Sequence, residues 1–234
     1  MMASFADRSA ETAESNDGAA RAPVRATTDS LAVGIVFMLV LAVAAASAWA
    51  GDWPGFHGPN RDNKSADKGL LKAWPEGGPS RIWEAAGIGE GYSTVAIVSE
   101  RIYTTGEIDA HCVITALDMD GNTIWTRNNG KAWEGSYPGT RSTPTITEGL
   151  LYHLSGVGNL VCLKAESGEH VWSTNILERF DGRNTTWGLA ESPLIVGDRV
   201  ICTPGGEQTS MVALDRLTGK LVWKCTGAQD QPGY

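Results

Sequence analysis

Beyond residue 51, apolar residues occur in short runs that alternate with polar residues and stop at turn-forming residues. Three segments share one pattern, in which a strand and a polar turn with glycine near its end are followed by a strand ending in tryptophan. These segments are 116–125, 162–172 and 213–223. No helical period of about 3.6 residues competes beyond residue 51. The pattern therefore predicts an all-β protein built from repeated hairpins.

A second pattern recurs between the hairpins. An aromatic residue (Tyr92, Tyr137 or Trp187) precedes a small polar residue, a short strand, a turn and a further strand. One period therefore holds four short strands within about 40–50 residues, which is the size of one blade of a β-propeller. About three and a half such four-stranded antiparallel blades are predicted.

Tryptophan and glycine recur at fixed places in these hairpins. We expect each indole to fill the gap between neighbouring blades, and each glycine to let its hairpin reverse direction. Trp83 is interpreted as the end of an earlier copy that lacks its hairpin partner. A generic β-sandwich with chance tryptophans is the alternative, and three copies at blade spacing disfavour it. The expected docking residues are Trp83, Trp125, Trp172 and Trp223 with Gly121, Gly168 and Gly219.

The hairpins resemble the tryptophan-docking motif A-x-D-x-x-T-G-x-x-x-W of the pyrroloquinoline quinone (PQQ)-like propeller repeats. Residues 213–223 match every fixed position, and the other two copies depart from several. Residues 52–62 and 69–79 look like the opening of exported bacterial members. The resemblance implies a quinoprotein alcohol dehydrogenase-like propeller of seven or eight blades. That superfamily includes alcohol and glucose dehydrogenases, and also a non-enzymatic outer-membrane assembly lipoprotein.

The resemblance also bears on the length of the chain. A propeller buries its terminal blades by closing its ring, and three and a half blades leave two open edges. We therefore expect an N-terminal fragment, about half, of a longer protein, or a truncated gene product. An assembly of two chains is the less favoured alternative.

The N-terminal residues have a different character. Residues 1–30 are polar and predict a disordered tail. Residues 31–50 carry no charge, are long enough to span a bilayer and end in an Ala-Trp-Ala sequence, which fits a signal peptide or an uncleaved signal anchor. Either alternative places residues 51–234, the partial propeller, outside the cytoplasm, in the periplasm or cell envelope.

The net charge of −8 argues against nucleic acid or an anionic membrane surface as the main partner. Contact with a membrane is expected only through residues 31–50, if they stay uncleaved. The expected partners are proteins of the cell envelope or a small ligand. The four cysteines lack metal-ligand spacing, and buried free thiols are favoured over disulfides.

The sequence contains few motifs typical of catalytic, metal-binding or cofactor-binding sites. Enzymes of the resembled family use PQQ, a bound Ca²⁺, a catalytic aspartate and, in the alcohol dehydrogenases, a disulfide between adjacent cysteines. This sequence has no adjacent cysteines. Residues 118–122 are similar to a calcium loop, but Asn129 stands where a bidentate glutamate is needed, so a turn is predicted. The four histidines are interpreted as structural. No catalytic residue, metal or cofactor is predicted.

The strand that begins each blade lies nearest the propeller axis, so residues just ahead of it face one mouth of the central channel. An aromatic and polar mouth suits a ligand. The alternative is structural, with an arginine–glutamate pair and stacked rings tying blades together. The candidates are Tyr92, Ser93, Tyr137, Arg141, Trp187 and Glu191.

Two functions follow from these observations. The favoured one is a non-catalytic binding or scaffold module of the cell envelope. The alternative is a PQQ-dependent oxidoreductase acting on alcohols or sugars, whose catalytic residues lie in blades absent from this sequence. PQQ and Ca²⁺ are expected only under that alternative.

Overall fold

A computed structural model describes residues 51–228 and 230–233, and the tail and apolar segment predicted at residues 1–50 lie outside them. The described chain forms three successive sheets of four antiparallel strands, each in sequential order. This confirms the predicted four-stranded antiparallel blades. The strands are β1 (Ala96–Val98), β2 (Arg101–Ile108), β3 (His111–Leu117), β4 (Thr123–Lys131), β5 (Thr145–Thr147), β6 (Leu150–Leu154), β7 (Asn159–Lys164), β8 (His170–Asn175), β9 (Leu194–Val196), β10 (Arg199–Cys202), β11 (Met211–Asp215) and β12 (Leu221–Cys225).

The hydrophobic core lies between the sheets. One cluster joins apolar residues of the first sheet, such as Ile114 and Trp125, to Leu151 and Leu163 of the second. A second cluster joins the second sheet to the third through Tyr152, Trp172, Val200 and Leu214, among others. The first strands also lie side by side, β1 next to β5 and β5 next to β9. The sheets therefore stack face to face and converge on their first strands, as propeller blades do.

The tryptophans do not end their strands, and that part of the sequence prediction is wrong. Trp125, Trp172 and Trp223 are the third residues of β4, β8 and β12. The outer strand continues to pair with the preceding strand beyond each indole. In the second sheet, this pairing extends to Asn159 of β7 opposite Asn175 of β8. The indole therefore sits where the outer strand begins.

The indoles of Trp125 and Trp172 each lie over the glycine turn of the next sheet. A Cβ atom at Gly168 would come within 2.8 Å of the Trp125 ring, and one at Gly219 within 2.7 Å of the Trp172 ring. Trp83 stands in the same relation to Gly121, at 2.8 Å, although the residues around Trp83 form no strand. These three glycines also have positive φ angles, so both space and backbone conformation favour glycine there.

One main-chain carbonyl at each blade boundary receives two side-chain hydrogen bonds. Trp125 Nε1 and the Tyr103 hydroxyl both donate to the Ala165 carbonyl, at 3.1 and 3.3 Å. Trp172 Nε1 and the Tyr152 hydroxyl donate to the Arg216 carbonyl, at 2.8 and 3.0 Å. The two tyrosines occupy matching places in β2 and β6, and the sequence patterns did not single them out.

The described residues include one short helix, α1 (Ile176–Arg179), although the sequence shows no competing helical period beyond residue 51. The Asn175 side chain caps it by accepting from the main-chain N–H groups of Leu177 and Glu178. Four residues are too few to produce a helical period, so the pattern could not show it. In the described ranges no helix is both long and apolar enough to cross a membrane.

Candidate functional site

A cleft of about 980 Å³ runs along the first strands of the second and third sheets. Its walls include β5, β9 and the loop of residues 54–59. Four of the six predicted mouth residues line it, namely Tyr92, Tyr137, Arg141 and Glu191, whereas Ser93 and Trp187 do not. The volume lies at the upper end of the range for small-ligand pockets. The segments ahead of the first strands therefore do converge on one concave surface.

Arg141 links the segments ahead of β1 and β5. Its guanidinium carbon lies 5.4 Å from the centre of the Tyr92 ring, within range of a cation–π contact. Its N–H groups donate to the main-chain carbonyls of Ser136 and Gly139, both at 3.0 Å, and to that of Tyr137. No acidic side chain of the described residues forms an ion pair with Arg141. Its positive charge is therefore fixed in place and available to a ligand.

The aromatic residues ahead of β5 and β9 also contact each other. The rings of Tyr137 and Trp187 lie 5.6 Å apart between centres and are tilted by 45°. Both remain substantially exposed, at 65% and 39%. Ser93 makes only a local bond, from its hydroxyl to the Thr94 carbonyl. The Tyr137 ring therefore belongs to the cleft wall, the Trp187 ring packs beside it outside the lining, and Ser93 also lies outside the lining.

Glu191 is held by Thr203 and not by Arg141. The Thr203 main-chain N–H donates to Oε1 at 2.7 Å, and the Thr203 hydroxyl donates to Oε2. Burial raises the pKa of Glu191, and the two Thr203 bonds oppose that rise. Among the described residues, Arg141 and Glu191 thus do not form the arginine–glutamate pair considered from the sequence. Glu191 presents a carboxyl group that keeps its proton to higher pH than usual.

The N-terminal loop contributes to this site in a way the sequence patterns did not reveal. Trp53 exchanges two main-chain hydrogen bonds with Ile97 of β1, at 2.7 and 2.8 Å. The next residue, Pro54, accepts from the Ile146 N–H of β5 at 2.8 Å. The chain then turns through glycine-rich residues into the cleft wall. An extended stretch of the protein therefore lies across the free edges of the first two sheets.

A series of hydroxyl groups joins the sheets just behind the cleft. The Thr94 N–H donates to Thr143 Oγ1 at 3.1 Å, and the Thr143 N–H donates to Ser192 Oγ at 3.0 Å. Both pairs are 49 residues apart, so the three residues are equivalent positions of three successive copies. Aligning the copies reveals the hydroxyls, but their partners are visible only in three dimensions.

Metal-binding groups are sparse in the described part of the chain, where no three His, Cys, Asp or Glu side chains cluster around a common point. Asp118 Oδ1 accepts from the N–H groups of Asp120 and Asn122, so residues 118–122 form the predicted turn. In the cleft, Glu148 pairs with Arg216 and Glu191 is held by Thr203. Calcium takes about 6–8 oxygen ligands. The described carboxylates of the cleft therefore do not form a calcium site.

The four cysteines are free, and Cys112, Cys162 and Cys202 are buried. Burial, together with Glu107, raises the pKa of Cys112 to about 12. Burial raises the pKa of Cys162 to about 11. Such thiols stay protonated at neutral pH and are poor nucleophiles.

His153 of β6 is fully buried, and we expect it to make stability depend on pH. Its Nδ1 accepts from Asn129 Nδ2 at 2.9 Å, and burial lowers its pKa from 6.5 to about 3. Between those pH values the unfolded state binds a proton that the folded state rejects, so the free energy of unfolding should fall as pH falls. The contribution is up to about 1.4 kcal/mol per pH unit. Urea unfolding from pH 7 to pH 4 measures the slope.

The His153→Gln variant should lose that part of the slope, whatever its stability at neutral pH. His111→Gln, at an exposed histidine of β3, is the matched control and should retain it. An unchanged slope in His153→Gln would mean that the buried imidazole does not titrate on unfolding.

Comparison with known proteins yields a family. The family model described as "Outer membrane protein assembly factor BamB" matches residues 110–233, slightly more than half of the chain. A 1-butanol dehydrogenase (quinone) of Thauera butanivorans is 29% identical over 129 residues, covering 53% of this chain and 20% of the relative. A quinoprotein ethanol dehydrogenase of Pseudomonas aeruginosa is 31% identical over 108 residues, covering 44% and 17%. The chain thus spans about one fifth of the length of these curated relatives.

Among solved structures, BamB from Moraxella catarrhalis aligns with a TM-score of 0.42 and 24% identity, covering 58% of this chain and 38% of that one. The family match agrees with the four-stranded antiparallel sheets and with the Trp-ended repeat at residues 213–223. The resemblance inferred from the hairpins is confirmed. The chain belongs to the PQQ-like repeat family of β-propeller proteins, within the quinoprotein alcohol dehydrogenase-like superfamily.

Proposed function

We propose that this protein is a non-catalytic binding or scaffold module of the cell envelope. The observation that carries the proposal is the cleft, where Arg141 is fixed over Tyr92 with no acidic partner among the described residues. A fixed cation packed on an aromatic ring in a concave cleft is suited to ligand recognition. The buried, protonated thiols and the absence of a clustered donor set in the described part of the chain support the same function.

The proposed location is extracytoplasmic. The uncharged segment 31–50 supports export or anchoring. The description of the matching family, an outer membrane protein assembly factor, supports the same location. The predicted tryptophan docking belongs to this proposal as the means of holding the blades together. Its support is the packing of Trp83, Trp125 and Trp172 on the glycine turns.

A second candidate function is quinone-dependent oxidation of an alcohol or sugar. The specific observation in its favour is the similarity to quinone-dependent 1-butanol and ethanol dehydrogenases. Under this candidate, PQQ and Ca²⁺ would bind and the reaction would proceed through residues other than those of the described cleft.

One experiment separates the two candidates. The full-length protein, with any blades beyond the 234 residues of this sequence, is titrated with PQQ in the presence of Ca²⁺, and dye-linked oxidation of ethanol, 1-butanol and glucose is measured. The binding-module proposal predicts no turnover above that of the free cofactor. Turnover that requires the protein would overturn it in favour of the dehydrogenase. The PQQ titration and the turnover measurement are repeated on Arg141→Gln, which changes the cleft. Arg81→Gln, at an exposed arginine paired with Glu84, is the control.

A further inference from the structure

The first strands of the three sheets present identical edges. Each contains three residues and pairs with its neighbour in the same register, so that the middle residues are Ile97, Ile146 and Ile195. In each case a two-residue turn closes the hairpin immediately after the strand. In such hairpins the middle residue directs its main-chain N–H and C=O away from its partner strand. In every sheet, the N–H and the C=O of this middle residue are therefore not bonded within the sheet itself and point outward from its inner edge.

Two of these edges are already occupied by the protein itself. Trp53 bonds to both the N–H and the C=O of Ile97, and Pro54 accepts from the N–H of Ile146. The occupying segment is extended and adds to the edge as an additional strand would. The protein therefore shows what kind of structure these edges bind, namely an extended main chain.

The third edge is free in the described chain. No described residue forms a main-chain or side-chain hydrogen bond with the outward N–H or C=O of Ile195. Ile195 lines the cleft, together with its neighbours Pro193 and Leu194. Exposed edge groups of this kind act as a template for pairing with a further strand.

The charges of the cleft indicate which peptide would suit it. Arg61 and Arg141 both line it without an acidic partner in the described residues. The carboxylates are less available, since Glu148 is paired with Arg216 and Glu191 is held by Thr203. The two arginines are thus the charged groups of the cleft without an ion-pair or side-chain hydrogen-bond partner among the described residues, although the whole chain has a net charge of −8. Charge complementarity favours an acidic ligand.

We infer that the cleft binds an extended, acidic peptide segment of a partner protein, which pairs through its main chain with Ile195 and places carboxylates near Arg141 and Arg61. This inference rests on the proposed binding function and specifies its ligand class. The bound segment would occupy on the third sheet the position that Trp53 and Pro54 occupy on the first two.

The test uses the full chain and a short fluorescent peptide of alternating aspartate and valine, with fluorescence anisotropy as the readout. A second peptide is methylated on its central amide nitrogens, which removes main-chain donors and keeps every charge. A third peptide has lysine in place of aspartate. We expect the first peptide to bind, the methylated one to bind about tenfold more weakly and the lysine peptide not to bind.

Two protein variants complete the test. Ile195→Pro removes the outward N–H and leaves the pairing of β9 with β10 intact, because proline is tolerated where a strand edge faces outward. Ile195→Val is the matched control, since it keeps the main-chain groups. The proline variant should bind the acidic peptide about tenfold more weakly and the valine variant should bind it like the unchanged protein. Circular dichroism reports whether each variant folds.

The outcomes are distinguishable. Equal binding of the methylated and unmethylated peptides overturns main-chain pairing, even if Ile195→Pro fails to fold. Equal binding of the lysine peptide overturns the acidic preference. No binding of any peptide overturns the inference while the binding-module proposal stands. PQQ-dependent turnover, measured separately, would instead overturn the proposed function.

Discussion

Replacing Trp172 with alanine is expected to lower the free energy of unfolding by about 3–5 kcal/mol, the range for truncating a buried aromatic side chain. The indole is 8% exposed, belongs to the core between the second and third sheets and lies over Gly219. Its removal leaves a cavity and also takes one donor from the Arg216 carbonyl. Urea unfolding followed by circular dichroism measures the loss.

Trp74→Ala is the matched control, because Trp74 is 69% exposed and its loss should change stability by less than about 0.5 kcal/mol. Trp172→Phe keeps most of the ring and loses the N–H, so its effect separates packing from the hydrogen bond. If Trp172→Ala were no more destabilising than Trp74→Ala, the blades would not depend on the indole for their contact.

Adding one methyl group at Gly106 is expected to be comparably damaging. A Cβ atom there would lie 1.9 Å from the Ile88 carbonyl oxygen and 2.8 Å from Gly89 Cα. These are main-chain atoms that cannot rotate away, and Glu90 and Glu107 exchange two hydrogen bonds just beside them. We expect Gly106→Ala to cost about 3 kcal/mol, at the upper end for overpacking. Urea unfolding measures this cost.

The same substitution should act on the cleft. The segment that Gly106 supports leads directly to Tyr92, so its displacement should loosen the contact between Tyr92 and Arg141. Faster hydrogen exchange of the amides at residues 88–92 would report this. Gly227→Ala is the control, since nothing lies within 4 Å of a Cβ at Gly227. Wild-type stability and exchange in Gly106→Ala would show that the two segments are not in close contact.

The repeated strands and turns could be predicted from the sequence because their signals are local. Alternation of apolar and polar residues marks a strand within a few positions, and positive-φ turns such as Ser99-Glu100 follow it directly. The glycines under the tryptophans were visible for the same reason. The error of placing Trp125 at the end of a strand arose because the polar residues that follow it pair as β4 without an apolar pattern.

The cleft could be predicted only in part. The sequence could identify Tyr92, Tyr137, Arg141 and Glu191 as cleft residues because each lies just ahead of the first strand of its repeat, and the repeats place these positions side by side. The pairing of Trp53 with Ile97 joins residues far apart in the chain and has no local pattern. Likewise, the preference of Arg141 for carbonyl oxygens over Glu191 depends on distances that no spacing encodes.

The carbonyl shared at each blade boundary has a consequence for how such repeats can diverge. Because the acceptor belongs to the main chain, the side chain at that position is free to change without loss of the bonds. Ala165 and Arg216 occupy it in successive copies, one with a methyl group and the other with a guanidinium that pairs with Glu148. Successive copies can therefore differ in the size and charge of this buried side chain, which is 5% exposed at Ala165 and 8% exposed at Arg216, while the joint keeps the same two bonds.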